Sequence, residues 1–332
     1  MFKKILTVLV VIVVLFCVIG LLLPRHVVVK RSVTIDRPAS LVFAVVNSFV
    51  LFPKWSPWQD LDPNMSQTTE GPRDGVGAKL RWKGNDKVGT GTQLITAATT
   101  DQSVASDLDF GDMGAAKSLM TFTPDGTATR ATWTVDIDMG ANPIGHYIGL
   151  TMDGALGKDF ANGLSKLKTL LESMPNADIA GFSAAPVDLT ATPVLLIAES
   201  APLDGIAKAY TNGYVQIAKF MAKNKLHQAG APLGIDDSTA SGVYKFDAGM
   251  PVDRGDAVSA DGIRAAQSYA GKALKTTHVG SYDGLSKSHD KLIAYAAAHG
   301  YKPKGSMITW YVDDPGTTPV ERLRTEMYVP IE

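Results

Sequence analysis

The sequence predicts an α+β protein in three parts: an N-terminal membrane-spanning helix, an antiparallel sheet completed by a long helix, and a duplicated strand–helix–strand–strand unit. Three observations carry that prediction. An apolar run without a charge occupies residues 5–23 of a chain whose overall balance, 45% hydrophobic and 20% charged, is that of a globular protein with a real core. Between residues 27 and 173 the periodicities run in the order strand, helix, several short strands, long helix. After residue 193 the sequence repeats itself. At roughly 150 residues per domain, 332 residues suit two domains beside the apolar segment.

The apolar run from Ile5 to Leu23 follows Lys3-Lys4 and precedes Pro24-Arg25. About 19 helical residues rise close to 30 Å, the thickness of a bilayer's hydrocarbon. A cleaved signal peptide has a shorter apolar region and a small-residue cleavage site. Here the run ends in Leu22-Leu23-Pro24-Arg25, and bulky Phe16 precedes Cys17, which does not suit lipoprotein cleavage. The expectation is an uncleaved anchor. Lys3 and Lys4 favour a cytoplasmic start, against Arg25, His26, Lys30 and Arg31 on the far side. Anchors with a short basic tail commonly export the rest of the chain, so the expected location is a bacterial inner membrane with the body extracytoplasmic.

The first domain is expected at residues 27–173. Val27 to Ile35 reads as a strand, and Pro38 opens a helix carrying Leu41, Val42, Val45 and Val46. Gly75-Val76-Gly77, Gly84-Asn85 and Gly89-Thr90-Gly91 punctuate short strands as hairpin turns. Thr129 to Met139 is strongly β-prone, with Trp133, Val135, Ile137 and Met139 on one face. Leu156, Phe160, Leu164, Leu167 and Leu171 then recur at helical spacing between Asp153 and Glu172. Residues 174–192, with Pro175, Gly181 and Pro186, read as a linker with a lead-in strand at Val187–Leu189.

The second domain is expected at residues 193–332. Asp204-Gly205-Ile206 and Asp283-Gly284-Leu285 each open a helix, and Pro232-Leu233-Gly234 is echoed by Pro303-Lys304-Gly305. Phe246-Asp247-Ala248-Gly249-Met250-Pro251 matches Thr325-Glu326-Met327-Tyr328-Val329-Pro330, with an acid four residues before a proline both times. Neither unit buries both faces of its sheet alone, so the two are expected to pack about a pseudo-twofold axis.

Ile35-Asp36-Arg37-Pro38, Phe52-Pro53-Lys54-Trp55-Ser56-Pro57-Trp58, Gly75-Val76-Gly77, Trp82-Lys83-Gly84-Asn85 and Gly157-Lys158-Asp159-Phe160 resemble the polyketide cyclase-like superfamily (SRPBCC, START/Bet v1-like) over residues 27–173. The resemblance implies a helix-grip fold: a curved sheet around the long helix, with an apolar cavity between them. It says little about function, because that superfamily includes lipid carriers, hormone receptors and enzymes. Thr277-His278-Val279-Gly280-Ser281-Tyr282, Trp310-Tyr311-Val312-Asp313-Asp314-Pro315 and Arg324-Thr325-Glu326 to Pro330-Ile331 resemble the GyrI-like small-molecule-binding domain, the effector-binding domain of AraC- and MerR-type regulators. Ser281 departs from the proline usual there.

This second resemblance implies that Glu326, the acid on the last strand, faces cationic or polar aromatic ligands in a pocket. A carboxylate among rings pairs with a cation while the rings add cation–π area. Glu326 and Tyr328 share a strand face, and either Trp310 or Tyr311 on the neighbouring strand must join them. The residues alone allow equally a Glu326 bridged to Arg322 or Arg324. Asp247 is a second pocket acid or a surface aspartate, and Tyr282 a pocket residue or a packing residue. Some relatives resemble hydrolases of electrophiles; in that alternative Glu326 activates water and Tyr282 donates a proton.

Other chemistry finds little support. With 32 basic against 33 acidic residues the net charge is −1, and no nucleic-acid partner is expected. The single cysteine excludes a disulfide framework and a Cys-based metal site within one chain. His26, His146, His227, His278, His289 and His299 have no metal-binding spacing, Gly89-Thr90-Gly91 is no dinucleotide loop, and Gly181-Phe182-Ser183-Ala184-Ala185 lacks the second glycine of a nucleophile elbow. No metal or cofactor is expected. Trp55 and Trp58 are read as core residues, and Asp107, Asp109, Asp112 and Lys117 as solvated. The expected function is membrane-held binding or sensing of hydrophobic small molecules, cationic ones among them, or lipids by two tandem cavity domains. The alternatives are the hydrolase and an interaction protein whose cavities are filled.

Overall fold

The N-terminal apolar run is helical in the computed structural model, which describes residues 2–111, 114–240, 242–256 and 259–332. This helix, α1 (Phe2–Leu22), is long and apolar enough to cross a membrane, and only Gly20 on it is buried. The chain divides into two units, one built on Met1–Ala180 and the other on Gly181–Ala297 and Tyr301–Glu332.

In the first unit α1 is followed by β1 (His26–Ile35), α2 (Ala39–Val46), two four-residue helices, α3 (Phe52–Trp55) and α4 (Trp58–Leu61), and then six strands. These are β2 (Ser66–Glu70), β3 (Lys79–Lys83), β4 (Thr90–Thr99), β5 (Ser103–Asp109), β6 (Ala115–Asp125) and β7 (Ala128–Asp138). They form an antiparallel sheet in the order β1-β7-β6-β5-β4-β3-β2, and α5 (Pro143–Glu172) closes the unit. Alternation decides which face is inward: on β7, Ala131, Trp133 and Val135 are buried. They face Phe160, Leu164, Leu167 and Leu171, which lie at helical spacing on α5. Arg31 crosses α5 at Gly157, where any Cβ would collide with its guanidinium, and pairs with Asp153 at 2.9 Å.

The long helix starts ten residues before the predicted Asp153. Asn142 caps it by accepting from the Ile144 amide at 3.0 Å, and Pro143 fills the first turn. Gly145, Gly149 and Gly154 break the apolar period there, which hides the helix from a periodicity reading. Met139 falls outside β7. Asp107, Asp109 and Lys117 are exposed, while Asp112 lies outside the described residues.

The expected cavity is the main correction in this unit. Trp133 stacks on Phe160 with centroids 4.4 Å apart, Trp55 meets Trp133 edge-on at 5.8 Å, and Phe52 meets Trp55 at 4.8 Å. Trp133 Nε1 donates to Ser118 Oγ at 3.0 Å. These rings crowd the space between sheet and helix, and the pocket among them is of about 20 Å³, lined by Phe52, Trp55, Gln93, Ile95 and Trp133 among others. That volume holds about one water molecule.

The second unit carries β8 (Ala185–Leu189), β9 (Pro193–Pro202), α6 (Ile206–Lys223), β10 (Leu233–Ala240), β11 (Val243–Pro251), β12 (Ile263–Gln267), β13 (Gly271–Val279), α7 (Leu285–Ala298), β14 (Ile308–Tyr311) and β15 (Arg324–Pro330). One antiparallel sheet takes the order β12-β9-β11-β10-β14-β15-β13-β8. Ile217, Phe220 and Met221 of α6 pack on Leu195, Phe246 and Ala248, while Leu292 and Ala296 of α7 pack on Leu274, Met327 and Val329. Both helices therefore cover one face. The other face holds a cluster drawn from strands, with Leu196, Leu233, Ile308 and Tyr328 at its centre.

The Pro-x-Gly echo proves to be out of register. Pro303 bridges Ile331, as Gln228 bridges Val252, whereas Pro232 stands next to the start of β10. Ser281, in place of a proline, accepts from the Asp283 amide at 3.3 Å and caps the turn that leads into α7.

Candidate functional site

Strand register decides which of the expected residues meet. Trp310 on β14 lies opposite Glu326 on β15, and Ile308 lies opposite Tyr328. On the central pair, Ile235 of β10 lies opposite both Ile308 and Asp247 of β11. Directly opposed residues share a sheet face. Glu326, Tyr328, Trp310, Ile308, Ile235 and Asp247 therefore all project from the face that carries no helix.

A groove of about 410 Å³ lies on this face. Ile235 and Ile308 form its floor, and Tyr269, Pro330 and Lys304-Gly305-Ser306 its walls. An acid–base pair stands to either side. Lys275 Nζ donates to Glu326 Oε1 at 2.7 Å and lies 5.5 Å from the centre of the Tyr328 ring, while the Tyr328 hydroxyl donates to Glu326 Oε2. On the other flank Arg264 Nη2 donates to Asp247 Oδ2 at 2.7 Å.

The electrostatics derive from these contacts. Burial pushes the Glu326 carboxyl up, but the hydrogen bonds from Lys275 and Tyr328 outweigh it and hold the group below its ordinary value. Burial also works against the Lys275 ammonium, and Glu326 and Tyr328 together more than offset it, so Lys275 is raised. The Tyr328 phenol is raised by burial and by its bond to the carboxylate. Glu326 is thus an ionised acid at neutral pH with a cation already in place. Neither Arg322 nor Arg324 is its hydrogen-bonding partner: Arg324 forks onto Asp313 at 2.7 and 2.9 Å.

Two expected site residues leave the group. Tyr311 alternates with Trp310 on β14 and points to the helix-covered face, where Tyr282 meets it edge-on at 5.3 Å. The sheet therefore separates Tyr282 from Glu326, and the two cannot act together on one electrophile. Tyr311 and Tyr282 instead join Tyr210, Tyr214, Tyr244 and Asp236. Tyr210 stacks on Phe246 at 4.0 Å, over Gly234, where any Cβ would collide with its hydroxyl. Tyr210 and Tyr311 are hydrogen-bonded, and Tyr244 bonds the half-buried Asp236, whose carboxyl burial pushes up. Tyr214 donates to the Leu233 carbonyl at 3.1 Å, so these phenols find polar partners as buried tyrosines do.

Sequence reasoning missed Lys275, Arg264, Ile235, Ile308 and Tyr269. Their signal was weak: an alternating strand face can be read from sequence, but the partner across it depends on register. Among the described residues no cluster of three or more His, Cys, Asp or Glu side chains is arranged to hold a metal ion. Trp55 is 3% exposed and belongs to the first unit's core.

No curated protein matches the sequence. The C-terminal domain of EcmrR is similar at 17% identity, over 45% of this chain and 97% of that one, with a TM-score of 0.41. SAV2435 bound to tetraphenylphosphonium gives 14% identity, 46% and 94% coverage and a TM-score of 0.36. A hydrolase from Listeria innocua gives 14%, 45% and 92%, and 0.34. Family models match two segments: polyketide cyclase / dehydrase and lipid transport at residues 26–172, and the GyrI-like small molecule binding domain at residues 187–332. The chain thus joins a member of the polyketide cyclase / dehydrase and lipid transport family to a GyrI-like small molecule binding domain.

Proposed function

We propose that this chain is a membrane-anchored binding module whose ligand is a hydrophobic cation held by the GyrI-like domain. The observation that carries the reading is the groove over Ile235 and Ile308, flanked by Glu326–Lys275 and Asp247–Arg264. An apolar floor supplies burial, Trp310 and Tyr328 supply ring faces, and Glu326 supplies the charge. We read the two flanks as products of duplication, since β9-α6-β10-β11 and β13-α7-β14-β15 follow one order and Asp247 and Glu326 stand at matching places in it. The first domain serves as a packed body rather than a second receptor, because its interior is filled. The anchor is α1, with the body outside the cytoplasm.

In this reading a bound cation competes with Lys275 for Glu326. Titration of the full chain in detergent with tetraphenylphosphonium, used as a probe, tests it. Glu326→Gln is expected to weaken binding by about 1–3 kcal/mol, the range for a lost charged hydrogen-bond partner. Lys275→Met is expected to tighten it, since the acid loses its resident cation. Unchanged affinity in both variants overturns the assignment.

A further inference from the structure

We infer that the first two turns of α5 are themselves seated in the lipid surface, as a second membrane contact beside α1. The inference rests on the reading of α1 as a membrane anchor, and geometry within the first unit carries it. The start of α5 is bound to the last turns of α1. The ring nitrogens of His146 lie 2.7 Å from the Gly20 carbonyl oxygen and 2.9 Å from that of Gly140. Tyr147 donates to the Phe16 carbonyl at 3.0 Å, and its ring stacks on Phe16 with centroids 4.3 Å apart. Gly20 is where the two helices touch most closely: a Cβ there would lie 2.6 Å from that of Pro143.

These contacts hold the start of α5 beside the last turns of α1. Phe16 precedes the end of α1 at Leu22 by six residues, which is about 9 Å along a helix. If Leu22 stands at the edge of the hydrocarbon, the Tyr147 hydroxyl, which reaches the Phe16 carbonyl, stands about that far inside it, and the α5 backbone beside Gly20 lies nearer the edge. Interfacial helices bury their apolar face by about 5–10 Å. The side chains agree with the geometry. From Gly140 to Met152 the sequence has no Asp, Glu, Lys or Arg, and its one histidine is the buried His146. Ile144, Ile148 and Leu150 are 55%, 51% and 62% exposed, an unusual density of bare aliphatic surface for a helix end in water. Charge returns at Asp153, paired to Arg31. Tyrosine at this depth is also the residue type that bilayer interfaces enrich.

The occupant is a lipid bilayer rather than a protein partner, because the patch continues the lipid-facing surface of α1 at the same level. The test uses the full chain reconstituted into phosphatidylcholine vesicles. In a Cys17→Ser background, Ile148→Cys and Thr169→Cys each carry an environment-sensitive fluorophore, and lipids with doxyl groups on their acyl chains act as quenchers. Thr169 is exposed and lies about 31 Å farther along the same helix, so it serves as the aqueous reference. The expected result is blue-shifted, strongly quenched emission at 148 and unquenched emission at 169. Equal, water-like emission at both sites in a chain that floats with the vesicles overturns the inference while leaving the anchor intact. A chain that does not float removes the anchor, and the inference falls with it.

Discussion

The interior of the first unit and the helix-free face of the second are made of similar parts and end differently. In the first, Trp55, Trp133 and Phe160 meet ring to ring across a sheet and a helix, and about 20 Å³ remains. In the second, Tyr269 walls a floor of two isoleucines, with Trp310 and Tyr328 in the adjoining cluster, and about 410 Å³ is left open. What differs is the geometry of the aromatic residues. Rings that face one another from opposing layers close a cavity, whereas rings projecting from a single sheet can only wall one. A fold described as a container is therefore not evidence of contents, and the space has to be measured.

Mutations at the filled interior should give the largest effects. Trp133→Ala removes a ring that is 3% exposed and contacts Trp55, Trp58 and Phe160. It is expected to lower stability by about 3–5 kcal/mol, read by urea unfolding, without changing affinity for a hydrophobic cation. Trp310→Ala, at a half-buried position opposite Glu326, is expected to cost distinctly less stability and to weaken binding instead. If the two variants exchanged these effects, the comparison would be reversed.

A smaller effect concerns pH. Glu326 is held below its ordinary value of 4.5 because the hydrogen bonds from Lys275 and Tyr328 outweigh burial. A lowered folded-state pKa gives stability that is present above the ordinary value and is lost as pH falls through the folded one. Cation affinity should therefore be flat from neutral pH down to about 5 and fall only below the ordinary carboxylate range. In Lys275→Met the fall should begin at a higher pH, because burial is then opposed only by Tyr328 and the weaker pull of the Arg324 charge. A loss of binding between about pH 7 and 6 in the unaltered protein would assign the titration to another group.

Much of the architecture was legible because it rests on local patterns. The apolar run, the alternation around Trp133 and the spacing of Phe160, Leu164, Leu167 and Leu171 name their elements directly. The start of α5 was not legible by period, since its buried positions there are His146 and Gly149 rather than aliphatic residues; the Asn142-Pro143 cap was the readable signal. In the site, Glu326 and Tyr328 could be placed on one face by counting in twos. Whether Trp310 or Tyr311 joined them could not, because that choice belongs to the register between β14 and β15. Lys275 and Arg264 were hidden for the same reason, and the two readings of Tyr282 could not be separated because the turn that sends it to the face of α6 and α7 leaves no local trace. The filled cavity depends on contacts among residues 55, 133 and 160, whose separations in the chain carry no local trace.

The claim that binding resides in the second unit alone is tested most directly by counting ligands. Native mass spectrometry of the detergent-solubilised chain with tetraphenylphosphonium, beside an Ile308→Trp variant that fills the groove floor, gives the number and the place together. The account predicts one bound cation in the unaltered protein and none in Ile308→Trp. Two bound cations, or one that persists in the variant, would contradict it.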